Sequence, residues 1–342
     1  MPTTPDSTSP PLRVGVIGAG HIGRNHARIL SDLAGPNFAA IYDANPAVVQ
    51  DMTRQYGGKP TSTLEEFVTL VDAATVATPT PSHFEIAKLL LERGKHVLVE
   101  KPITETTADA QALAALAADR GLVLQVGHVE RFNPALSALE SRLTLPRFIE
   151  SHRLSPYPAR SIEIGVVLDL MIHDLEIILH LVRSPLESID AVGVPILSKG
   201  ADIANARLRF QNGCVANITV SRVSPERMRK IRVFQEDAYL SLDYQAQEGY
   251  IYRLAREHEH ESSLLRKLFA SANSTVVSEF AGRKIVREPV EIEKGEPLRS
   301  ELADFLRCAA QGVQPKVSGR EATAALDLAL EITRRIETAP AP

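Results

Sequence analysis

The stretch Leu12–Leu30, LRVGVIGAGHIGRNHARIL, decides how the first part of the chain folds. Leu12 to Ile17 is an apolar run rich in β-branched residues and reads as a buried strand. It breaks into Gly18-Ala19-Gly20-His21-Ile22-Gly23, after which apolar residues return at helical spacing. Each glycine of this G-x-G-x-x-G pattern has its own reason. Gly18 allows the tight turn, Gly20 lets the backbone approach a pyrophosphate, and Gly23 lets helix and strand pack closely. The helix N-terminus then offers unpaired N–H groups and a positive dipole end to phosphates. A second strand, residues 38–41, runs into Asp43, 20 residues past Gly23, where an acid hydrogen-bonds the ribose of a dinucleotide. An acid there also repels a 2′-phosphate, so NAD is expected rather than NADP.

At 342 residues the chain exceeds what one hydrophobic core usually holds, and two domains are expected. Its 44% hydrophobic and 23% charged residues are ordinary for a soluble enzyme. A net charge of −4 gives no support for binding nucleic acid or a membrane surface. Two cysteines, Cys214 and Cys308, without a C-x-x-C pattern suit a reducing compartment. No apolar run approaches the ~20 residues needed to span a bilayer. Residues 1–11 lack the basic start and apolar core of a secretory signal and read as a disordered tail. A cytoplasmic location is therefore expected.

Strand and helix alternate from residue 12 to residue 127, which predicts a parallel sheet with helices on both faces. Residues 73–77 form a strand that ends in Thr78-Pro79-Thr80-Pro81-Ser82-His83. Two prolines cannot continue a sheet ladder, so this is a loop at the carboxyl end of the sheet, where ligands of such folds bind. Residues 96–99 form the next strand and deliver Glu100-Lys101-Pro102 to the same edge. A lysine there can donate to a substrate hydroxyl and stabilise negative charge developing on its oxygen.

GAGHIG, ATPTPSH, GKHVLVEKPIT and the later LDLMIHD together resemble the Gfo/Idh/MocA family of sugar and cyclitol dehydrogenases, over nearly the whole chain. Residues 126–134, VGHVERFNP, resemble within it the subgroup that oxidises C3 of UDP-N-acetylglucosamine. The 3-keto product of that subgroup is aminated by an aminotransferase on the route to amide-linked lipid A. The resemblance implies cofactor contacts from Gly18, Gly20, His21, Ile22, Gly23, Asp43, Thr78, Pro79, Thr80, His83, Glu100, Lys101, Pro102 and His128. It also implies a Rossmann domain over 12–127 and a substrate and oligomerisation domain over 128–338. Closing helices at 297–337 are expected to pack back on the first domain. The second domain should be α+β with a large, mainly antiparallel sheet whose open face forms a homodimer or homotetramer interface.

Ile164 to Val182, IGVVLDLMIHDLEIILHLV, is the most apolar helix candidate and should be buried. Asp169, His173, Glu176 and His180 fall on one narrow polar stripe of it, spaced i, i+4, i+7 and i+11. Asp169 and His173 sit one turn apart, close enough for the carboxylate to orient the ring. Histidine suits a general base at working pH. The family's D-x-x-x-H pattern lands on these two residues, while Glu176 and His180 read as structural. Scattered histidines with no cysteine nearby argue against a metal site.

Beyond this helix the apolar period switches to two at 203–210, 214–222, 229–235 and 238–244, with Asn212-Gly213 as a hairpin turn. Residues 256–281 are polar and irregular and read as an insertion or mobile loop. Together with Lys101, Asp169 and His173, the residues Arg131, Asn133, Arg153 and Arg160 are candidates to hold a sugar nucleotide. Arg153, Tyr157 and Arg160 could clamp a diphosphate and stack beside a base. The expected chemistry is NAD-dependent oxidation of a sugar-nucleotide hydroxyl. The alternatives are oxidation of a free sugar or cyclitol such as myo-inositol, and a non-catalytic sensor on the same scaffold.

Overall fold

The computed structural model describes residues 12–157, 164–255, 275–280 and 283–338. The chain divides into two units, Met1–Val129 with Glu296–Asp327, and Glu130–Gly295 with Leu328–Pro342.

In the first unit, strands β1 (Val14–Ile17), β2 (Phe38–Tyr42), β3 (Lys59–Pro60), β4 (Ala73–Val76), β5 (His96–Glu100) and β6 (Leu124–Gly127) form one sheet. Its order is β3-β2-β1-β4-β5-β6, and every pairing is parallel. The order reverses between β1 and β4, the switch point at which such sheets bind ligands. Helices α1 (His21–Ala34), α2 (Pro46–Tyr56), α3 (Leu64–Leu70), α4 (His83–Glu92) and α5 (Thr107–Asp119) connect the strands. Local signals set their starts. Thr63 caps α3 by accepting the Glu66 N–H at 3.1 Å, and the Glu66 carboxylate accepts the N–H of Ser62, the residue before the cap, at 3.1 Å. Helix α8 (Pro297–Gln311), far along the chain, belongs to this unit. Its Leu302, Phe305 and Cys308 join Ala27, Leu30 and Leu98 in one core. The free edge of β6 is covered too: Val126 N–H donates to Val317 O at 3.1 Å, beside an antiparallel bridge from Gln125 to Ser318.

The second unit is built on β7 (Phe148–Leu154), β8 (Leu186–Val194), β9 (Ile203–Phe210), β10 (Val215–Ser221), β11 (Met228–Phe234), β12 (Ala238–Asp243), β13 (Glu248–Leu254), β14 (Thr275–Phe280) and β15 (Arg283–Pro289). Among the described residues their order is β14-β15-β13-β12-β11-β7-β10-β9-β8. Only β7 and β10 pair in parallel, so the sheet is mainly antiparallel, as expected. Its inner face is apolar: Ala206, Leu208, Ile218, Val220, Ile149 and Val233 are buried. Asn205, Arg207, Asn217 and Thr219 alternate with them and are half-buried on the opposite face. There Phe234, Tyr239 and Tyr252 stack in a row, with ring centroids 5.0 and 4.4 Å apart. A short helix α6 (Pro134–Glu140) and the long apolar helix complete the described core, and α9 (Gly319–Thr338) closes the chain.

Two expectations are corrected. The segment 256–281 is not a loop throughout: 256–274 lie outside the described residues, but 275–280 form β14, paired with β15. The sequence TVVSEF hides this strand because its apolar residues do not alternate and it lies exposed at the edge of the described sheet. The apolar helix also does not run as one α-helix from Ile164. It opens as a π turn over Val167–Met171 and becomes α-helical as α7 (Ile172–Val182).

Candidate active site

The first unit collects its candidate residues at the carboxyl end of the sheet. Gly18 has φ +97°, and a Cβ added there would meet the Ala77 carbonyl at 2.6 Å, so the turn requires glycine. A Cβ on Gly23 would fall 1.8 Å from Gly18 O, which is the close helix–strand contact the motif anticipates. A Cβ on Gly20 meets nothing within 4 Å. Gly20 caps α1 without a side-chain hydrogen bond, and the His21 and Ile22 side chains beside it are exposed. Open space at the second glycine above a helix N-terminus fits a dinucleotide pyrophosphate.

Asp43 holds the glycine loop itself. Its Oδ2 accepts the Ala19 N–H at 2.6 Å and its Oδ1 the Asn45 N–H at 2.8 Å. The carboxylate thus ties the glycine loop to the end of β2 while remaining half-exposed. The Thr78–His83 loop is similarly braced. His83 is buried, with Nδ1 2.9 Å from Pro102 O and Nε2 2.8 Å from Thr78 O. Both ring nitrogens are engaged with protein carbonyls, so His83 fixes Thr78 against Pro102 rather than offering a nitrogen to a ligand. Thr78, Pro79 and Thr80 are at least partly exposed, and Lys101 is half-buried, followed by a cis Lys101–Pro102 peptide. Glu100 Oε1 lies 3.1 Å from His26 Nε2, and a Cβ on Gly127 would meet the Glu100 carboxylate at 2.8 Å. Gly127 is therefore glycine to make room for Glu100. His128 is buried at the end of β6.

In the second unit the polar stripe divides. Asp169, in the π turn, and His173, in the first turn of α7, are half-buried. Glu176 is buried against Arg131, with Arg131 Nη1 2.5 Å from Glu176 Oε1, and His180 Nε2 lies 2.9 Å from Glu140. The π turn widens the helix at the position of Asp169, a rare geometry that occurs often at functional sites. Asp174, off the stripe, accepts from Ser151 Oγ at 2.8 Å and from Arg153 Nε at 2.7 Å.

This disposes of most of the expected substrate clamp. Arg131, Asn133 and Arg153 are buried. Arg153 also reaches Glu130 at 3.1 Å, and Asn133 Nδ2 donates to Glu130 Oε2 at 3.1 Å and to Tyr244 O at 3.0 Å. Burial alone would push the Glu130 carboxyl up, but Arg153 and Arg229 outweigh it and hold it below the usual range. The charges of Arg131 and Arg153 are matched by protein carboxylates, so the structure does not support the expectation that they meet a diphosphate. Arg160 lies outside the described residues. Arg229, which pairs with Arg153 across β11 and β7, keeps its side chain 53% exposed at 3.3 Å from Glu130. Sequence reasoning missed it because an alternating strand does not reveal which face meets the buried acids.

A glycine loop at the switch point of a parallel sheet, joined to a second unit with a mainly antiparallel sheet, defines an NAD-binding oxidoreductase. Family comparison agrees over both units. Residues 12–128 match the model of the oxidoreductase family with NAD-binding Rossmann fold, and residues 140–241 match the GFO/IDH/MocA C-terminal domain. The chain belongs to the Gfo/Idh/MocA family. It is 34% identical over 300 residues, 87% of this chain and 89% of the relative, to UDP-N-acetylglucosamine 3-dehydrogenase of Acidithiobacillus ferrooxidans. A solved structure of that enzyme superposes with a TM-score of 0.84, covering 95% of this chain and 98% of the other. Scyllo-inositol 2-dehydrogenase (NAD(+)) of Bacillus subtilis is 23% identical, covering 94% of this chain and 93% of the relative. Levoglucosan dehydrogenase in complex with NADH and L-sorbose shares the fold, with a TM-score of 0.77 at 19% identity over 95% of this chain and 96% of the other.

Proposed function

We propose that the protein oxidises the C3 hydroxyl of UDP-N-acetylglucosamine to the ketone, using NAD. The observation that carries this reading is the 34% identity, over most of both chains, to an enzyme of that name. Bound NAD supplies the acceptor for the hydride. Gly18, Gly20 and Gly23 with the first turn of α1 would hold its pyrophosphate, and Asp43 its adenosine ribose. Thr78, Pro79, Thr80, Glu100 and Pro102 would line the nicotinamide end. His173 takes the proton of the reacting hydroxyl, and Asp169 orients its ring and balances the charge that forms. Lys101 donates a hydrogen bond to the same oxygen and stabilises its developing negative charge. With Arg131 and Arg153 spent on carboxylates, Arg229 and Arg160 are left to meet the diphosphate, with Tyr157 beside the base.

The ketone would pass to an aminotransferase, on a route to amide-linked lipid A. A second copy of the chain would cover the open sheet face around Asn205, Asn217 and Tyr239, giving a homodimer or homotetramer in the cytoplasm. The sealed arginines favour one rival, oxidation of a free sugar or cyclitol, which needs no cationic clamp.

The deciding experiment follows NADH absorbance with UDP-N-acetylglucosamine, free N-acetylglucosamine and myo-inositol, alone and coupled to an aminotransferase with glutamate. Binding energy from the remote nucleotide should appear in kcat/KM, so the sugar nucleotide should win by orders of magnitude. A better rate with myo-inositol or a free hexose would overturn the sugar-nucleotide reading and leave the family membership standing.

A further inference from the structure

Beneath β5, the strand that ends at Glu100 just before Lys101, lies a set of buried polar atoms that the reading above does not use. Thr75, Leu98 and Gln125 stand in one register row across β4, β5 and β6. Glu100, two residues beyond Leu98, points to the same face. Leu98 packs there with Leu30 of α1 and Leu302 of α8, and His26 and Glu301 are their neighbours on those helices. Glu301 is fully buried, and neither carboxylate oxygen has a hydrogen-bond partner. His26 Nδ1, Thr75 Oγ1 and Gln125 Oε1 are likewise buried without partners, while Gln125 Nε2 donates to the Glu301 backbone carbonyl at 3.1 Å.

An ionised carboxylate cannot sit in such a place cheaply, since it has lost water and gained no donor. The charged groups acting on it make this worse. Burial comes first, then the charge of Glu100, then that of Asp304, itself held by Arg307, and all push the Glu301 carboxyl well above its usual range. A neutral carboxyl kept at a cost to stability marks a position held for another reason.

We propose that Glu301 is a positioning residue for the Glu100–Lys101 segment. As a neutral acid it lets Glu100 stand against His26; once ionised it displaces Glu100 and, with it, the strand end that meets the cofactor. The proposal rests on the end of β5 at Glu100 serving the cofactor site. It also has a consequence independent of that reading. Glu301 binds its proton more tightly folded than unfolded, so its presence lowers folding stability increasingly as pH rises from ~4.3 towards the folded value.

The test is Glu301→Gln, which mimics the neutral acid. Thermal unfolding and NAD titration by fluorescence are followed from about pH 6 to about pH 9 in both proteins. The variant should melt higher than wild type by a margin that grows with pH. It should bind NAD within about twofold of wild type at the acid end, and keep its affinity where wild type loses about tenfold, the effect of one unit of proton coupling. A pH-independent margin, or the same pH course of NAD binding in both, overturns the proposal. If wild type binds no NAD at any pH, the cofactor reading falls, and the melting series still decides the charge of Glu301. Should the variant not fold, infrared spectroscopy of wild type must show a protonated buried carboxyl at neutral pH, and its absence overturns the proposal.

Discussion

Arg153 grips Asp174 through two nitrogens, Nε to Oδ2 at 2.7 Å and Nη2 to Oδ1 at 3.3 Å, and turns its third to Glu130. Asp174 directly follows His173, and Glu176, held by Arg131, lies three residues after it. The two arginines therefore restrain the rotation of α7 about its own axis, and with it the side of the helix from which His173 projects.

Breaking this grip should cost more than a substrate contact would. Arg153→Met leaves Asp174 and Glu130 buried and short of a cation, so a loss of about 3–5 kcal/mol is expected in denaturant unfolding. Were Arg153 a solvent-facing clamp, the loss would be within ~0.5 kcal/mol. Stability should also fall in acid. Glu130 is held below its usual range, so its contribution is present above ~4.3 and disappears as pH drops through the folded value. Arg153→Met should flatten that acid limb.

The same residues show where the sequence was legible and where it was not. The glycine roles could be read because each follows from backbone sterics within one loop: Gly18 at positive φ, Gly23 against Gly18 O, Gly20 open. The β5 end and its Glu100-Lys101-Pro102 were placed by the alternation of strand and helix. Arg131 and Arg153 were misread because their partners, Glu176, Asp174 and Glu130, come together only through tertiary packing. An arginine looks the same in sequence whether it meets a phosphate or a buried acid. Strand β8 escaped for another reason. It is an edge strand of the described sheet in which Ile189, Ala191 and Gly193 alternate with exposed Asp190, Val192 and Val194, so its outward positions carry valines and the apolar pattern does not mark the inner face.

Two glycines of the loop should separate folding from binding. Gly23→Ala puts a methyl 1.8 Å from a backbone oxygen and should lower Tm sharply, with a loss of about 1–3 kcal/mol or more. Gly20→Ala meets no protein atom, so Tm should stay within the change expected of ~0.5 kcal/mol. Its NAD affinity, by calorimetry, should nonetheless drop. Equal effects of the two changes would show that Gly20 is not where the pyrophosphate approaches.

Asp43 should prove to serve both loop and cofactor. Wild type is expected to prefer NAD to NADP by at least ~10-fold, from ~1–3 kcal/mol of charged hydrogen bonding. Asp43→Ala removes that preference and also the acceptors of the Ala19 and Asn45 amides, so KM should rise for both cofactors. Asp43→Asn keeps one carbonyl acceptor and loses the charge, so it should relax the preference with a smaller rise in KM. Wild-type kcat/KM that is equal or better with NADP would refute the assignment.

The half-buried pair Asp169 and His173 carries the last prediction. His173→Ala and Lys101→Ala should each lower kcat by about 10²-fold or more, the loss expected for a general base or a charge stabiliser. NAD binding should survive both changes, because the glycine loop and Asp43 lie elsewhere in the chain. The two losses should differ in pH dependence. A general base must be unprotonated to act, so wild-type kcat should rise with pH and level off, and His173→Ala should lose that rise. Lys101→Ala should keep it, since Lys101 donates a hydrogen bond and takes no proton from the substrate. Asp169→Asn removes the carboxylate that stabilises the charged ring, so the rise should shift to lower pH. A rise unchanged in Asp169→Asn would separate the two residues, and normal turnover by His173→Ala would move the general base to Asp169.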